Sequence, residues 1–262
     1  MSDGRIALVR AIEERAFNAW PALEIAVLNG WILRFAEGYS KRANSANALA
    51  PTAAFADMLP LVETLYRRHG LRPCVRLTPL AGPDPGPILD DRGWGVIDAS
   101  MVMTAPLPRL AAAEEAVTLR PVPDAAWIDG YAEASARPDL RRDTLARMLA
   151  AIRPEAVFAT LVADGEPAAY GMAVLERGMV GLFDIATPAA LRRRGHARRL
   201  TESLMAWGRR KGAMQAYLQV TMANDAALPL YAALGFRPFY EYDYRVAPEE
   251  PGIDAAVNGR GA

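Results

Sequence analysis

The chain has 262 residues, and its 30 Lys and Arg residues balance its 30 Asp and Glu residues, which gives no electrostatic reason to expect nucleic acid or an acidic membrane as a partner. The single cysteine excludes an internal disulfide, and no Cys and His residues have the spacing of a zinc site, so we expect no metal. Because no signal-like start or apolar run of about 20 residues is present, we expect a cytoplasmic protein without a membrane span.

Length and an apolar content of 52% predict two domains, the first over residues 1–110. Apolar residues at helical spacing predict a helix over Ile6–Trp20, and Asn29-Gly30 predicts a hairpin turn. The other elements predicted in this half are strands Glu24–Leu28, Trp31–Phe35, Arg72–Thr78 and Val96–Thr104, a helix over Phe55–His69, a Gly/Pro-rich loop over Pro79–Pro87 and a short helix through Leu89-Asp90-Asp91-Arg92.

The second domain is predicted over residues 117–247, after a connection at Pro106–Ala116 and before a flexible tail at 248–262. Its predicted strands are Val117–Pro121, Ala156–Ala163, Ala168–Glu176, Val180–Thr187, Met214–Thr221 and Phe239–Val246. Its predicted helices are two stretches between Asp124 and Ile152, broken near Arg137-Pro138, then Gly195–Lys211 and Asn224–Leu234. This order of elements predicts an α/β fold with a mixed sheet.

A short internal similarity links the two halves. Residues Leu89 to Trp94 and Tyr231 to Phe236 each predict a helix that ends at a glycine, followed by an aromatic residue and a strand. The similarity favours two related folding units in tandem.

The segment from Phe183 to Ala197 is the most informative for chemistry, because a strand enters a loop that opens a helix. Small residues in Arg192-Arg193-Arg194-Gly195-His196-Ala197 allow a close approach of backbone to a ligand. Free amides and the positive end of the helix dipole then form an anion site that fits a pyrophosphate. Considered alone, the arginine run fits a solvated face equally well.

A second motif follows as Asn224-x-x-Ala227-x-x-Leu230-Tyr231-x-x-Leu234-Gly235-Phe236. With the Arg-x-x-Gly-x-Ala motif and the order of elements, it resembles the GNAT superfamily of N-acyltransferases over the second half of the chain. Ala197 occupies a position where glycine is common in that family. The resemblance implies the acyl-CoA N-acyltransferase fold, acetyl-CoA as donor and two GNAT-like units, of which the first is degenerate.

The resemblance also assigns the cofactor contacts. It implies that the backbone of three consecutive residues pairs with the pantetheine arm as a pseudo-strand, that of Ile185, Ala186 and Thr187. It implies pyrophosphate contacts with the loop and helix start, at Arg192, Arg193, Gly195, His196 and Ala197. Asn224 would contact the cofactor through its side chain, although it also fits a plain helix N-cap.

Tyr231 and Asp184 are the candidate catalytic residues. The resemblance implies that Tyr231 protonates the departing CoA thiolate, while a core aromatic residue is the alternative. Direct attack by a neutral amine also needs a base, for which Asp184 is a candidate and Glu176 and Glu241 are weaker ones. By strand alternation, Asp184 is expected to face away from its neighbours Phe183 and Ile185.

In the first half, the run from Trp31 to Ser45 is similar to the front domain of bacterial two-domain GNAT proteins. Arg42, Asn44 and Ser45 either face an acceptor or form a turn beside a solvated arginine. The sequence predicts an N-acetyltransferase for a small-molecule or protein amine, and the alternative is a CoA-binding module without transfer. The acceptor and the oligomeric state stay open, with a homodimer common among similar proteins.

Overall fold

The structure is a computed structural model that describes residues 2–51, 55–107, 116–135 and 141–249. The chain divides into two compact units. Unit 1 contains the described residues up to Met101, residues 221–223 and those from Tyr240 onward, and unit 2 contains residues 102–220 and 224–239. The predicted domain limits stay a prediction. Most of the expected connection, the helix break at Arg137-Pro138 and nearly all of the tail lie outside the described residues.

In the residues that the structure describes, unit 1 consists of a mixed sheet and three α-helices. Its helices are α1 (Asp3–Ala19), α2 (Phe55–Arg68) and α3 (Pro85–Asp91). Its strands are β1 (Glu24–Leu28), β2 (Trp31–Phe35), β3 (Ala46–Ala48), β4 (Cys74–Leu77), the first part of β5 (Gly95–Pro106) and the last part of β11 (Arg237–Val246). The strand order β1-β2-β3-β4-β11 is antiparallel except for the parallel pair β3–β4.

The interior of unit 1 contains charged groups as well as apolar ones. Glu13 and Arg76 are 1% and 3% exposed and form an ion pair, and the hydroxyl of Tyr240 donates to Glu13 Oε1 at 2.5 Å. The guanidinium of Arg76 lies 3.7 Å from the ring centroid of Tyr242. Buried Arg34 donates to the carbonyls of Phe17, Trp20 and Arg42. These bonds satisfy charges that would be costly to bury alone.

The described part of unit 2 has four α-helices and a mixed sheet. Its helices are α4 (Ala125–Ala134), α5 (Arg142–Ala150), α6 (His196–Arg210) and α7 (Ala227–Ala233). Its own strands are β6 (Val117–Arg120), β7 (Glu155–Ala163), β8 (Glu166–Glu176), β9 (Met179–Ala186) and β10 (Gln215–Thr221). The order β10-β9-β8-β7-β6 is antiparallel except for the parallel pair β9–β10.

Two glycines let α6 lie close against the strands of unit 2. A Cβ on Gly171 of β8 would lie 2.6 Å from Ile185 Cδ1, and one on Gly208 of α6 would lie 2.7 Å from Val180 Cγ1. Leu200 and Leu204 are fully buried along the same helix face. This packing fixes the start of α6 directly beyond the end of β9.

The predicted α/β architecture with a mixed sheet is confirmed, with local differences. Strand β3 was missed, because three small or polar residues give no alternating pattern. The predicted loop Pro79–Pro87 contains a 3-10 turn at Pro79–Ala81 and the first turn of α3, because proline fits the first turn of a helix. Among the described residues, no helix is both long and apolar enough to cross a bilayer.

Candidate functional site

Strand β9 contains a bulge at Asp184. Its pairing with β8 places Tyr170 opposite Ala186 and Met172 opposite Phe183, so Gly171 faces two residues of β9. Asp184 has a φ of +53°, in the left-handed region that costs most L-residues roughly 1–2 kcal/mol and that Asp tolerates better than most. The bulge re-aims the side chains at the end of the strand.

The predicted orientation around Asp184 was wrong for this reason. Phe183 packs edge-on against Tyr217 with ring centroids 5.9 Å apart, on the face away from α6. Ile185 packs over Gly171 beside Leu200 of α6. The two neighbours of Asp184 therefore lie on opposite faces of the sheet, and simple alternation does not hold across the bulge.

At the bulge, β9 stops pairing with its parallel partner β10, although both strands continue. The register with β10 runs from Met179 opposite Gln215 to Leu182 opposite Leu218, and β9 continues to Ala186. In the described chain, no strand pairs with this last part of β9 on the β10 side. Backbone groups at Ile185, Ala186 and Thr187 thus lie on an open edge, the geometry that strand addition by a pantetheine arm requires.

The loop after β9 presents backbone amides at the start of α6. Arg193 and Gly195 have φ values of 63° and 81°, and Gly195 is the N-cap. Within the described residues, the amides of residues 193–198 donate to no backbone acceptor, and the first bond of the helix runs from the Arg199 amide to the Gly195 carbonyl at 3.1 Å. Arg192 Nε bonds the Thr187 carbonyl at 3.2 Å and closes the loop. The arrangement matches an anion site.

Two buried polar atoms support a ligand at this loop. His196 is 7% exposed, and its Nδ1 has no hydrogen-bond partner among the described residues. Thr187 Oγ1 is also buried and has no hydrogen-bond partner among the described residues. Buried polar atoms are nearly always paired, so these two indicate a site that a polar ligand completes. The exposed side chains of Arg192 to Arg194 supply positive charge, and the direction of a Gly195 Cβ is open, so the residues fit a CoA pyrophosphate.

Asn224 bonds the start of the helix that carries the candidate acid. Its Oδ1 accepts from the Ala227 amide at 3.1 Å, and its carbonyl accepts from the Leu228 amide at 3.2 Å. The N-cap of α7 is Ala226, two residues later in the chain. The capping role of Asn224 and its contact with a cofactor therefore both stay predictions.

Tyr231 lies on α7 with its ring against Phe236, 5.9 Å between centroids. The residue is 9% exposed, and burial raises the pKa of its hydroxyl to about 12. The hydroxyl has no hydrogen-bond partner in the parts of the chain that the structure describes. Tyr231 is therefore both a core aromatic residue and a neutral donor, so the two interpretations of the sequence are compatible.

The structure gives the surroundings of three further candidates, Glu176 in unit 2 and Asn44 and Arg42 in unit 1. Glu176 opposes Met179 at the other end of β9, roughly 23 Å of extended strand from Ala186. In unit 1, Asn44 accepts from the amides of Ala36 and Gly38 at 2.7 and 3.0 Å, so it orders a turn. Arg42 stacks on Trp20 at 4.6 Å instead of lying on a solvated face.

One residue at the open end of β9 was missed by the sequence analysis. Tyr170 lies opposite Ala186, and its hydroxyl packs on Gly130 of α4, where a Cβ would lie 2.1 Å away. Burial, then the carboxylate of Glu133, raises the pKa of Tyr170. No motif marks this tyrosine, because its position depends on the pairing of β8 with β9.

Comparison with known proteins gives one family and several relatives. The family model described as "Probable histone acetyltransferase Rv0428c C-terminal" matches residues 6–245. An uncharacterized N-acetyltransferase of Bacillus subtilis, YobR, is 26% identical over 91% of this chain and 98% of its own length. The probable histone acetyltransferase Rv0428c of Mycobacterium tuberculosis is 28% identical over 92% of this chain and 74% of its own.

Solved structures share the fold. A GCN5-related N-acetyltransferase from Kribbella flavida covers 92% of this chain and 96% of its own, with a TM-score of 0.70 and 17% identity. A tandem GNAT protein from the clavulanic acid biosynthesis pathway covers 94% of both chains, with a TM-score of 0.61 and 16% identity. At this identity the similarity shows the fold, including two GNAT-like units in one chain.

Proposed function

Because the chain belongs to the family described as probable histone acetyltransferase Rv0428c C-terminal, within the GNAT superfamily of N-acetyltransferases, we propose that it moves an acetyl group from acetyl-CoA to a primary amine of a small molecule or protein. The observation that supports this most is the row of unbonded amides at residues 193–198, directly beyond the open edge of β9. A pyrophosphate and a pantetheine arm need these two features side by side.

Acetyl-CoA would bind along unit 2. The amides of Arg193, Gly195, His196 and Ala197 hold the pyrophosphate, with Arg192 adding charge. The backbone of Ile185 to Thr187 pairs with the pantetheine arm. This order places the thioester near the Asp184 bulge and Tyr231.

The proposed reaction is a direct acyl transfer. The amine nitrogen forms a bond to the thioester carbonyl carbon, the oxygen becomes an oxyanion, and collapse breaks the carbon–sulfur bond. A backbone amide near Ile185 stabilises the oxyanion. The amine loses its extra proton to a base, and the thiolate leaves as CoA.

Tyr231 would act on the leaving thiolate. Its pKa of about 12 keeps the hydroxyl protonated throughout the physiological range. Because an ordinary thiol has a pKa near 8.5, complete proton transfer from Tyr231 to the thiolate would cost roughly 5 kcal/mol. A hydrogen bond from the hydroxyl to the sulfur avoids this cost, because the proton stays on Tyr231. We therefore assign Tyr231 as the hydrogen-bond donor that stabilises the thiolate, while the proton that converts the thiolate to the CoA thiol comes from the base that took it from the attacking nitrogen, or from solvent.

Asp184 is the proposed base. It is half-buried at the bulge, next to the strand segment that holds the thioester. Asp184→Asn should lower kcat while acetyl-CoA affinity is retained. An unchanged kcat would show that water or another group removes the proton.

Isothermal titration with acetyl-CoA tests the donor site. We expect saturable binding by the wild type and at least roughly 100-fold weaker binding by Arg192→Ala/Gly195→Glu, because the new carboxylate meets the pyrophosphate and Gly195 has a positive φ. The matched control is Arg177→Ala/Gly178→Glu in the β8–β9 turn, where Gly178 has a φ of 76° and open space beyond its Cα. No binding by the wild type would contradict the proposal.

A screen of amines follows the release of free CoA thiol. The name of the mycobacterial relative supports including lysine peptides and protein N-termini beside small amines. Acetyl-CoA binding without transfer to any of them would favour the alternative of a CoA-binding module.

A further inference from the structure

Strand β1 is an unprotected edge of the sheet in unit 1. It is the first strand of the order, and among the described residues it pairs only with β2. Ile25 and Val27 point away from the core and are 61% and 67% exposed. Exposed edges are normally blocked by charged side chains, above all lysine, by proline or by a bulge. The five residues of β1 contain no lysine or proline, and their one charge, Glu24, is at the first position of the strand.

The free backbone groups of β1 belong to Ile25 and Val27. The Arg34 amide donates to the Ser45 carbonyl on the β3 side at 3.3 Å, so Arg34 does not exchange bonds with Ile25, which lies opposite it. Bonded and unbonded pairs alternate along an antiparallel ladder. The amides and carbonyls of Ile25 and Val27 therefore point outward, away from β2.

We propose that β1 is the interface between two copies of this chain, paired antiparallel about a twofold axis at Ala26. In this register Ile25 faces the partner's Val27, and Val27 faces the partner's Ile25. Each of these two pairs exchanges both of its outward hydrogen bonds. Ala26 then faces the partner's Ala26 as an unbonded pair.

Charge and side-chain pattern fit a second copy. Glu24 faces the partner's Leu28, so no like charges lie opposite each other. Ile25 and Val27 of both copies form one cluster of four apolar side chains on a single face of the joined sheet. A register shifted by one residue either way uses fewer of the outward groups. The strand is thus self-complementary, as a twofold interface must be.

This interface lies in unit 1 and does not depend on acetyl transfer or on CoA binding. Sedimentation equilibrium of the full chain measures it directly. We expect a concentration-dependent dimer for the wild type and a dissociation constant at least roughly tenfold higher for Ile25→Lys/Val27→Lys, because each new lysine would face a lysine of the partner.

The matched control is Val96→Lys on β5, an apolar residue of unit 1 that is 54% exposed but lies outside β1. It should leave the dimer unchanged. Far-ultraviolet circular dichroism of each variant separates loss of pairing from loss of folding. A wild type that stays monomeric at about 100 μM, or a dimer that the β1 substitutions leave intact, would overturn the proposal.

A cysteine scan tests the register. Unbonded antiparallel pairs bring Cα atoms to about 4.5 Å, within the range of a disulfide, so Ala26→Cys should form a covalent dimer on mild oxidation. The native Cys74 gives no background, because it is 2% exposed and burial raises its pKa to about 12. Val96→Cys serves as the control. A wild-type dimer that Ala26→Cys fails to cross-link would overturn the axis at Ala26.

Discussion

The helix ends at Gly93 in unit 1 and Gly235 in unit 2 are built alike but differ in one side chain. Both glycines have positive φ, 72° and 90°. In both, the amide of the following aromatic residue donates at 3.0 Å to a helix carbonyl five residues earlier, that of Leu89 or Tyr231. Leu89 is fully buried and offers no polar group, whereas Tyr231 has a hydroxyl. The same backbone arrangement thus carries a hydroxyl only in unit 2.

The parallel strand pairs repeat this contrast. In unit 1, β3 has three residues and pairs with β4. In unit 2, β9 has eight residues, bulges at Asp184 and extends beyond the register with β10, and a helix of 15 residues follows with its first amides unbonded. A shared scaffold therefore becomes a candidate site where two parallel strands stop pairing before they end and the next helix begins at that opening.

The largest effect is expected from breaking the buried ion pair in the interior of unit 1. Glu13→Gln would leave the buried charge of Arg76 uncompensated, which typically costs about 3–5 kcal/mol of unfolding free energy. Urea unfolding followed by tryptophan fluorescence measures the loss. Glu155→Gln in unit 2 is the control, since its pair with Lys211 has both side chains about half exposed and should change stability by at most about 1 kcal/mol. Equal losses of unfolding free energy in both variants would refute the expected difference between the buried and the exposed ion pair.

The second largest effect is expected from removing the hydroxyl of Tyr231. The helix end of unit 2 then carries no polar side-chain group, like the helix end at Leu89 in unit 1. Tyr231→Phe keeps the ring on Phe236 and removes only the hydroxyl, so we expect kcat to fall roughly 10- to 100-fold with an unchanged KM for acetyl-CoA. The rate is measured with an amine found in the screen. Tyr244→Phe in unit 1 is the matched control, because it also removes a buried tyrosine hydroxyl, one that has no hydrogen-bond partner among the described residues. A full rate with Tyr231→Phe would leave this residue a core aromatic only.

The smallest effect concerns the alkaline stability of unit 1. Burial raises the pKa of Cys74 from 9.0 to about 12, so the folded state keeps a proton that the unfolded state loses above pH 9. The stability contributed by this neutral thiol is complete below pH 9 and disappears as the pH rises towards 12. Between pH 8 and 10, the wild type should lose about 1.4 kcal/mol more unfolding free energy than Cys74→Ala. If the unfolding free energies of the two proteins changed equally with pH, the thiol would ionise as readily in the folded state as in the unfolded state.

Much of the fold was predictable from the sequence, because its elements have strong local patterns. The Asn29-Gly30 hairpin and the strands β7, β8 and β9 were predicted to within one or two residues, since their alternation and turn residues are local. The start of α6 was predicted from glycine and arginine spacing alone. Strand β3 was not predicted, because its three residues are too few to give a strand pattern. The first turn of α3 was not predicted either, because its prolines and glycine indicated a loop.

The sequence by itself determined the two motifs, Arg192 to Ala197 and Asn224 to Phe236, since spacing along a strand, loop and helix fixes which amides and side chains come together locally. Only the tertiary structure decided the bulge at Asp184, the position of Tyr170 opposite Ala186, the burial of Glu13 against Arg76 and the open edge at β1. Each of these depends on which strands lie side by side. Hydrogen-bond register and burial are properties of pairs of distant segments, and no local pattern of residues encodes them.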